Sequence, residues 1–560
     1  MRVWSAVAAL VSILTFPSAV SAQLAPQPPP VSSATVQTPP RDRAQALRTG
    51  TGRITGRVVT ADTGAPVRRA QLRLYSPEIA ENHVAATDPQ GRYEFTSLPA
   101  GRYMLTASKA GFVTWSYGAE RANDAPKPIE LADSQTLEKI DFVLTRGSVI
   151  TGRVLDEFGE PVSEAQVTVS RYQYTGGRRQ LMPVRSNTTN DLGQFRIFGL
   201  APGDYYLSAT LRTMMGGRES EDRSGYAPTY YPGTANPAEA QRFTVKLGQE
   251  IASADFAMIP TRLAQVSGTA VDSQGKPLSG MVSLMPRQPV IMVGGGAPVR
   301  PDGSFAISSV VPGEYTIVAR TAGPGGESEI AMAPLQVTGG DITGISLQTT
   351  KGATLRGLVT FEGGTTTGDP TTVMISGMSA EPGLMLPGSP PARVNQDGTF
   401  ELRGLVGSRL IRAGASRGGW TLKAVIINGR DVTDTPLEFK GTEETVNAQI
   451  ILTGRQTSLS GTGVDSRGDP AKDYMVIVFP DDRQRVGYAS RFLRNARGDQ
   501  EGRYRIQGLP AGEYLAVAVP SSQDIEWNNP DVLEQLRPGA TRFSLAEGEK
   551  KTVQLMMSVR

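Results

Sequence analysis

One histidine, His83 in "AENHVAA", and no cysteine are all that this 560-residue chain offers to imidazole or thiol chemistry. A zinc hydrolase needs three protein ligands around the metal, commonly a His-x-x-Glu pair with a later histidine, and a lone His83 cannot supply them. A Ser–His–Asp triad would have to pass through the same residue, whose setting reads as a loop between two strands. A glycosidase needs only two carboxylates, which 54 Asp and Glu do not exclude. Such sites usually occupy large barrels or long-loop folds, and this sequence shows neither pattern. Asp88, Asn190, Asp302, Asp397 and Asp499 each precede a turn glycine and invite a calcium reading. Six or more converging oxygens are required for that, and the strings "DPQG", "NDLG", "RPDG", "NQDG" and "DQEG" suit side chains closing their own turns better. The chain is therefore expected to be no enzyme and to need no cofactor or metal.

What remains is binding, for which aromatic side chains are the candidates because a flat ring packs on the face of a sugar. Trp115 and Tyr117 in "GFVTWSYGAE" form one possible platform; Trp420 and Trp527 are the other tryptophans after the N-terminal segment. Tyr226, Tyr230 and Tyr231 lie in the insertion "TMMGGRESEDRSGYAPTYYPGTANPAEAQ", a long loop of the functional kind. These five residues, Trp115, Tyr117, Tyr226, Tyr230 and Tyr231, are the expected ligand contacts. In "GWTLKAVIINGRDVTDTPLEF" strand-forming residues dominate, so a structural role is expected there.

The elements that would position these rings repeat. β-prone runs around a glycine recur as "ITGRVV" (Gly56), "ITGRVL" (Gly152), "VSGTAV" (Gly268), "LRGLVT" (Gly357) and "LSGTGV" (Gly461), at intervals of 96, 116, 89 and 104 residues. Those are lengths of small β-sandwiches, well above a solenoid repeat. A Gly-x-Pro turn follows each run, as in "GAPVRRAQLRLY", where Val67, Ala70, Leu72 and Leu74 take the inward side. Next comes "GRYEFTSLPAGRYML" (Gly91 to Leu105) and its relatives at Gly193, Gly303 and Gly502. This stretch reads as a hairpin: Tyr93 and Phe95 inward, a turn at Gly101, then Tyr103, Leu105 and Ala107 inward with Arg102, Met104 and Thr106 facing water. In the fourth copy, "GTFELRGLVGSRLI", the turn differs and Leu410 replaces the tyrosine.

The order of "ITGRV", "GxPV", "DxxGxY" and "LPAGxY" resembles the carboxypeptidase regulatory-like domains, which are transthyretin-like β-sandwiches of about seven strands. The resemblance covers nearly all of residues 52–560, well in four units and weakly in the fourth. It implies an all-β fold, a tandem array of about five transthyretin-like or Ig-like β-sandwich modules. It implies function poorly, because such domains occur in peptidases, adhesins, outer-membrane receptors and stand-alone secreted proteins. Carbohydrate is the leading ligand class by this resemblance. Related pilin-type sandwiches carry Lys–Asn cross-links, but no lysine stands in any of the five opening runs, so none is expected.

Residues Met1 to Ala22 read as a secretory signal, with Arg2, an apolar run from Val3 to Phe16 and Val20-Ser21-Ala22 before the cleavage point. The expected organisation is a signal peptide at 1–22, a Pro-rich linker at 23–51, and sandwiches at 52–146, 147–262 (with the Tyr-rich loop), 263–352, 353–456 (divergent) and 457–560. A net charge of +3 argues against a nucleic-acid partner. No later run is long and apolar enough to be a transmembrane helix. The functional expectation is an exported, non-catalytic binding or structural protein, periplasmic, cell-surface or extracellular. Its partners would be polysaccharide or envelope proteins; a protein-binding scaffold or adhesin is the alternative, and a carboxylate-based glycosidase the lesser one.

Overall fold

The "LPAG" stretch that reads as a hairpin is instead an arch between two sheets. The computed structural model describes residues 50–560 except 77–80, 123, 176–177, 212–223, 288–294, 322–327, 365–367, 381–388, 417–418, 441–444, 522–524 and 559–560. The expected signal peptide, and the linker up to residue 49, lie outside the described residues. In the first sandwich, strand Arg92–Leu98 pairs antiparallel with the opening strand Gly52–Thr60, whereas Gly101–Ser108 pairs with Gln71–Ser76 in the other sheet. Four more sandwiches repeat this division. In each, the opening strand also pairs in parallel with a late strand, as Val58–Thr60 does with Phe142–Leu144. Alternation reports which face a side chain occupies, not which strand lies beside it. The inward residues were therefore readable while the pairing was not.

The arch is built by one backbone device. Just before the buried Leu98, Leu200, Val310, Leu405 and Leu509, a residue sits at positive φ: Ser97 (59°), Gly199 (76°), Ser309 (59°), Gly404 (76°) and Gly508 (72°). In the first, second, third and fourth sandwiches the register with the opening strand slips there, as a β-bulge does, and the bulge turns the chain out of its sheet. The tyrosine after the arch then locks it. Tyr103, Tyr205, Tyr315 and Tyr514 donate their hydroxyls to the carbonyls of Pro99, Ala201, Val311 and Pro510 at 2.7, 2.8, 2.8 and 2.6 Å. This is the logic of a tyrosine corner. In the fourth sandwich the residue two past the arch glycine is Arg409, not Leu410. Its Nε donates to the Val406 carbonyl at 2.8 Å from a side chain only 2% exposed, so an arginine does the tyrosine's work.

The opening-strand glycines answer a different need. A Cβ on Gly268 or Gly357 would overlap the carbonyl oxygen of Ile345 or Ala448 on the parallel neighbour. Inside each sandwich the two sheets close on an apolar cluster; the first is built from Ile54, Val58, Leu72, Leu74, Tyr93, Phe95, Tyr103 and Leu105 among others. The fifth has a second cluster on its outer side, where Leu533 and Leu536 of helix Pro530–Leu536 cover Ile477, Phe479 and Val517.

Residues 49–560 form one compact unit, and sandwiches distant in sequence touch. Arg497 of the fifth, 5% exposed, donates to the carbonyls of Ala125 (2.7 Å) and Gly118 (2.9 Å) in the first. Lys127 reaches Asp473 at 3.2 Å, and Arg102 donates to the Arg505 carbonyl at 3.1 Å. Arg102, expected to face water, is 8% exposed because the fifth sandwich covers it.

Candidate functional site

Two of the expected contacts belong to the rim of the first sandwich. Trp115 lies in the short strand Trp115–Ser116, paired to Thr106–Ala107, and packs half-buried against the core. Tyr117 meets Phe142 edge-on at 6.4 Å between centroids, and burial raises its hydroxyl pKa. The loop that follows carries the Gly118 and Ala125 carbonyls gripped by Arg497. Both rings thus serve packing, and their loop faces another sandwich. Trp420 is likewise core, 7% exposed against Phe361, and Trp527 packs on the outer cluster of the fifth sandwich.

The described part of the insertion is ordered by pairing. Strand Ser224–Ala227 adds to Ile259–Arg262, and Thr229–Tyr230 to Ser208–Ala209. Tyr226 donates to Glu157 Oε2 at 2.8 Å; desolvation, helped by that carboxylate, pushes its pKa up to about 12. Tyr231 packs against Phe243 and Phe256 at 4.7 and 6.0 Å. Tyr230 is 1% exposed, which removes its ring from the accessible contacts, yet its hydroxyl has no hydrogen-bond partner among the described residues. Burial pushes that hydroxyl's pKa up to about 12, and Tyr172 adds to the shift.

Tyr172 marks a site that the sequence reading passed over. Strands Ala165–Thr175 and Arg178–Thr188 form a long hairpin beside Gly203–Leu211. On it, half-buried Tyr172 meets half-buried Tyr206 edge-on at 5.0 Å, and exposed Arg179 lies 4.3 Å over the Tyr172 ring. The hydroxyl of Ser170, paired across the sheet with Tyr206, is a second buried one without a partner among the described residues. On the other sheet, and apart from this pair, Phe198 is flanked by Arg185 and Arg196 at 5.8 and 5.5 Å. The two buried hydroxyls each cost about 1–3 kcal/mol and are not accessible to a ligand. Tyr172, Tyr206 and Arg179 offer ring edges and guanidinium donors. These parts suit holding a polyhydroxylated ligand. The signal was present in "SRYQYTGGRRQLMPVR", where Tyr and Arg interleave on strands of 11 residues against six in the first sandwich.

The side chains named in this cluster are tyrosines, arginines and a serine. His83, expected in a loop, lies in strand Glu81–Ala86 opposite Leu74. The string "GASRG" at 414–418 has the spelling of a nucleophile elbow, but Ser416 follows strand Gly407–Ala415 and donates to the Thr372 carbonyl at 3.4 Å. His83 and Ser416 belong to different sandwiches. The turn acids close their own turns: Asp88 Oδ1 accepts from the amides of Gln90 and Arg92, and Asp499 Oδ1 from those of Glu501 and Arg503. Among the described residues no group of three His, Cys, Asp or Glu is placed to hold a metal. No helix among them is long and apolar enough to cross a membrane.

Residues 53–145 and 149–258 each match the carboxypeptidase regulatory-like domain. Among curated proteins no relative matches the chain. Similar solved structures include the Bacillus anthracis TIE protein, 11% identical, covering 73% of this chain and 74% of its own, with a TM-score of 0.15. A streptococcal ancillary pilin is 12% identical over 53% of this chain and 98% of its own, with a TM-score of 0.21. A minor pilin of Streptococcus agalactiae is 17% identical over 38% and 98%, with a TM-score of 0.20.

Proposed function

We propose that this chain, whose residues 53–145 and 149–258 are carboxypeptidase regulatory-like domains, is an exported, non-catalytic binding protein that holds carbohydrate on its second sandwich. The observation that carries the reading is the half-buried Tyr172–Tyr206 pair with exposed Arg179 over its face. An aromatic ring supplies apolar area for a pyranose face and the guanidinium orients its hydroxyls. The regulatory-like sandwiches carry the site rather than define it, since a fold by itself does not choose a ligand. Export rests on the N-terminal signal pattern.

A glycan array with the purified chain, followed by titration of any hit against Tyr172→Ala and Arg179→Ala, tests this. Binding that both variants weaken about tenfold or more, with no hydrolysis of the bound glycan, is the expected result. Turnover that survives rigorous purification, or glycan binding indifferent to both substitutions, overturns it.

A further inference from the structure

The hairpin tip of the fourth sandwich carries the one Asn-Gly pair of the sequence, Asn428-Gly429. Strand Thr421–Ile427 turns there into the two-residue strand Arg430–Asp431, and Ile427 pairs with Arg430 across the turn. Both turn residues sit at positive φ, Asn428 at 51° and Gly429 at 74°, as a two-residue hairpin loop of the primed kind requires.

The Asn428 side chain is open to attack by its own backbone. Asn428, Gly429 and Arg430 are all exposed, so water reaches the tip. The Asn428 amide has no hydrogen-bond partner among the described residues and is free to swing. Gly429 has no side chain to obstruct its backbone nitrogen, and the space where a Cβ would stand is empty to 4 Å. For that nitrogen to reach Asn428 Cγ, Asn428 must leave the left-handed region, which opens the turn. Little resists this. Strand Arg430–Asp431 is the end strand of its sheet, held through Ile426 opposite Asp431 and Ile427 opposite Arg430. Local opening of so short an edge costs far less than unfolding the sandwich.

We propose that Asn428 is a site of spontaneous deamidation that loosens this hairpin. The Gly429 backbone nitrogen attacks Asn428 Cγ and the bond from Cγ to the side-chain nitrogen breaks. Ammonia leaves with the proton from the Gly429 nitrogen. The cyclic imide then takes up water at either carbonyl, giving aspartate or isoaspartate, so one water enters for each ammonia released. Isoaspartate lengthens the main chain at the tip by one carbon, which a two-residue loop cannot absorb with Ile427 still opposite Arg430. The residues just beyond hold neighbours: the Thr433 carbonyl accepts from Arg412 at 2.6 Å, and Asp434 accepts from Arg491 of the fifth sandwich at 2.8 and 2.7 Å. The site is separate from the tyrosine cluster and does not depend on it.

The test is ageing of the full wild-type chain at mildly alkaline pH, then peptide mapping by mass spectrometry with enzymatic methylation to mark isoaspartate. The peptide containing Asn428 should gain about one dalton, with isoaspartate present, about tenfold or more faster than peptides containing Asn187 or Asn395. Those two asparagines are also exposed, but Thr188 and Gln396 follow them and their side chains crowd the attacking nitrogen. Amide exchange at residues 425–434 should rise in the aged chain relative to the fresh one. Conversion at Asn428 no faster than at Asn187 or Asn395, or conversion to aspartate with no isoaspartate, overturns the modification. Isoaspartate at 428 with unchanged exchange at 425–434 overturns the loosening.

Discussion

Replacing Arg497 with methionine should release the first sandwich from the fifth. Arg497 sends two charged hydrogen bonds into the loop at Gly118 and Ala125, and such bonds contribute about 1.5–3 kcal/mol each. The gross loss is then about 3–6 kcal/mol. Both acceptors sit on exposed residues and regain water once the contact opens, so a net loss of about 2–4 kcal/mol is the better figure. The contacts left behind are weaker. Lys127–Asp473 has one partner about half exposed, and pairs of that kind contribute about 0–1 kcal/mol. Arg102 to the Arg505 carbonyl and the Glu130 amide to Gln500 Oε1 are single bonds at 3.1 and 3.2 Å. A loss of 2–4 kcal/mol shifts the closed-to-open ratio by about 30- to 1000-fold, enough to populate an open chain. Small-angle scattering should show a larger radius of gyration for Arg497→Met. Amide exchange should rise in residues 118–130 and 497–505 while the sandwich cores stay protected. Arg503→Met, which removes an arginine paired locally with Asp499 and Glu501, is the control and should change neither. An unchanged radius together with unchanged exchange at 118–130 in Arg497→Met would refute the reasoning.

Three further outcomes concern the arch and the third sandwich. Ser97→Gly and Ser309→Gly place glycine where three other arches already have it, and should stabilise their sandwiches by about 0.5–1 kcal/mol in urea unfolding; a loss of stability would contradict the role given to positive φ there. Gly268→Ala forces a methyl into the Ile345 carbonyl and should destabilise the third sandwich by about 3–5 kcal/mol, so a wild-type urea midpoint would show the strands are not so closely held. Burial alone would raise the carboxyl of Glu329, but hydrogen bonds from the Ser273 and Thr349 hydroxyls and the Ser273 amide outweigh it and hold the group below its ordinary 4.5. A depressed folded pKa gives stability that is present above 4.5 and lost as pH falls through the lower folded value. The third sandwich should therefore weaken below pH 4.5, and Glu329→Gln should flatten that dependence.

The faces of the strands were legible because period-two alternation is a local property. Leu72, Leu74, Tyr93, Phe95, Tyr103 and Leu105 all point where the pattern puts them. The partners of the strands were not, because a short Leu-Pro-Ala-Gly link serves equally well as a hairpin turn or as an arch. The distinguishing residue is one place earlier, at Ser97 and its counterparts, where alternation slips by one. Counting from the arch glycine, rather than matching residue types, finds Arg409 in the fourth copy. Contacts between sandwiches left little local signature, so Arg102 read as a solvent residue. For the site, the rare tryptophans drew attention first, and of these Trp420 is core. Tyr172 and Arg179 were hidden in a strand whose alternation looked ordinary and whose only oddity is its length.

Repetition and specialisation fall on different parts of this chain. Residues that recur in register, the opening-strand glycines and the arch tyrosines, are consumed in building five sandwiches and leave nothing over to bind with. Candidate chemistry lies where one copy exceeds the others, in the lengthened hairpin of the second. The fifth sandwich also carries helix Pro530–Leu536, and just before it Asn528 donates to the Tyr174 carbonyl at 2.6 Å, on the hairpin that bears Tyr172. One sandwich thus grips the first through Arg497 and steadies the second through Asn528. If opening at Arg497 also draws Asn528 from the hairpin, linkage requires that a ligand favouring the steadied hairpin favour closure by the same factor. Glycan affinity should then fall in Arg497→Met, although Arg497 lies outside the tyrosine cluster. Unchanged affinity in an opened chain would mean that Asn528 holds its place on the second sandwich independently of the first.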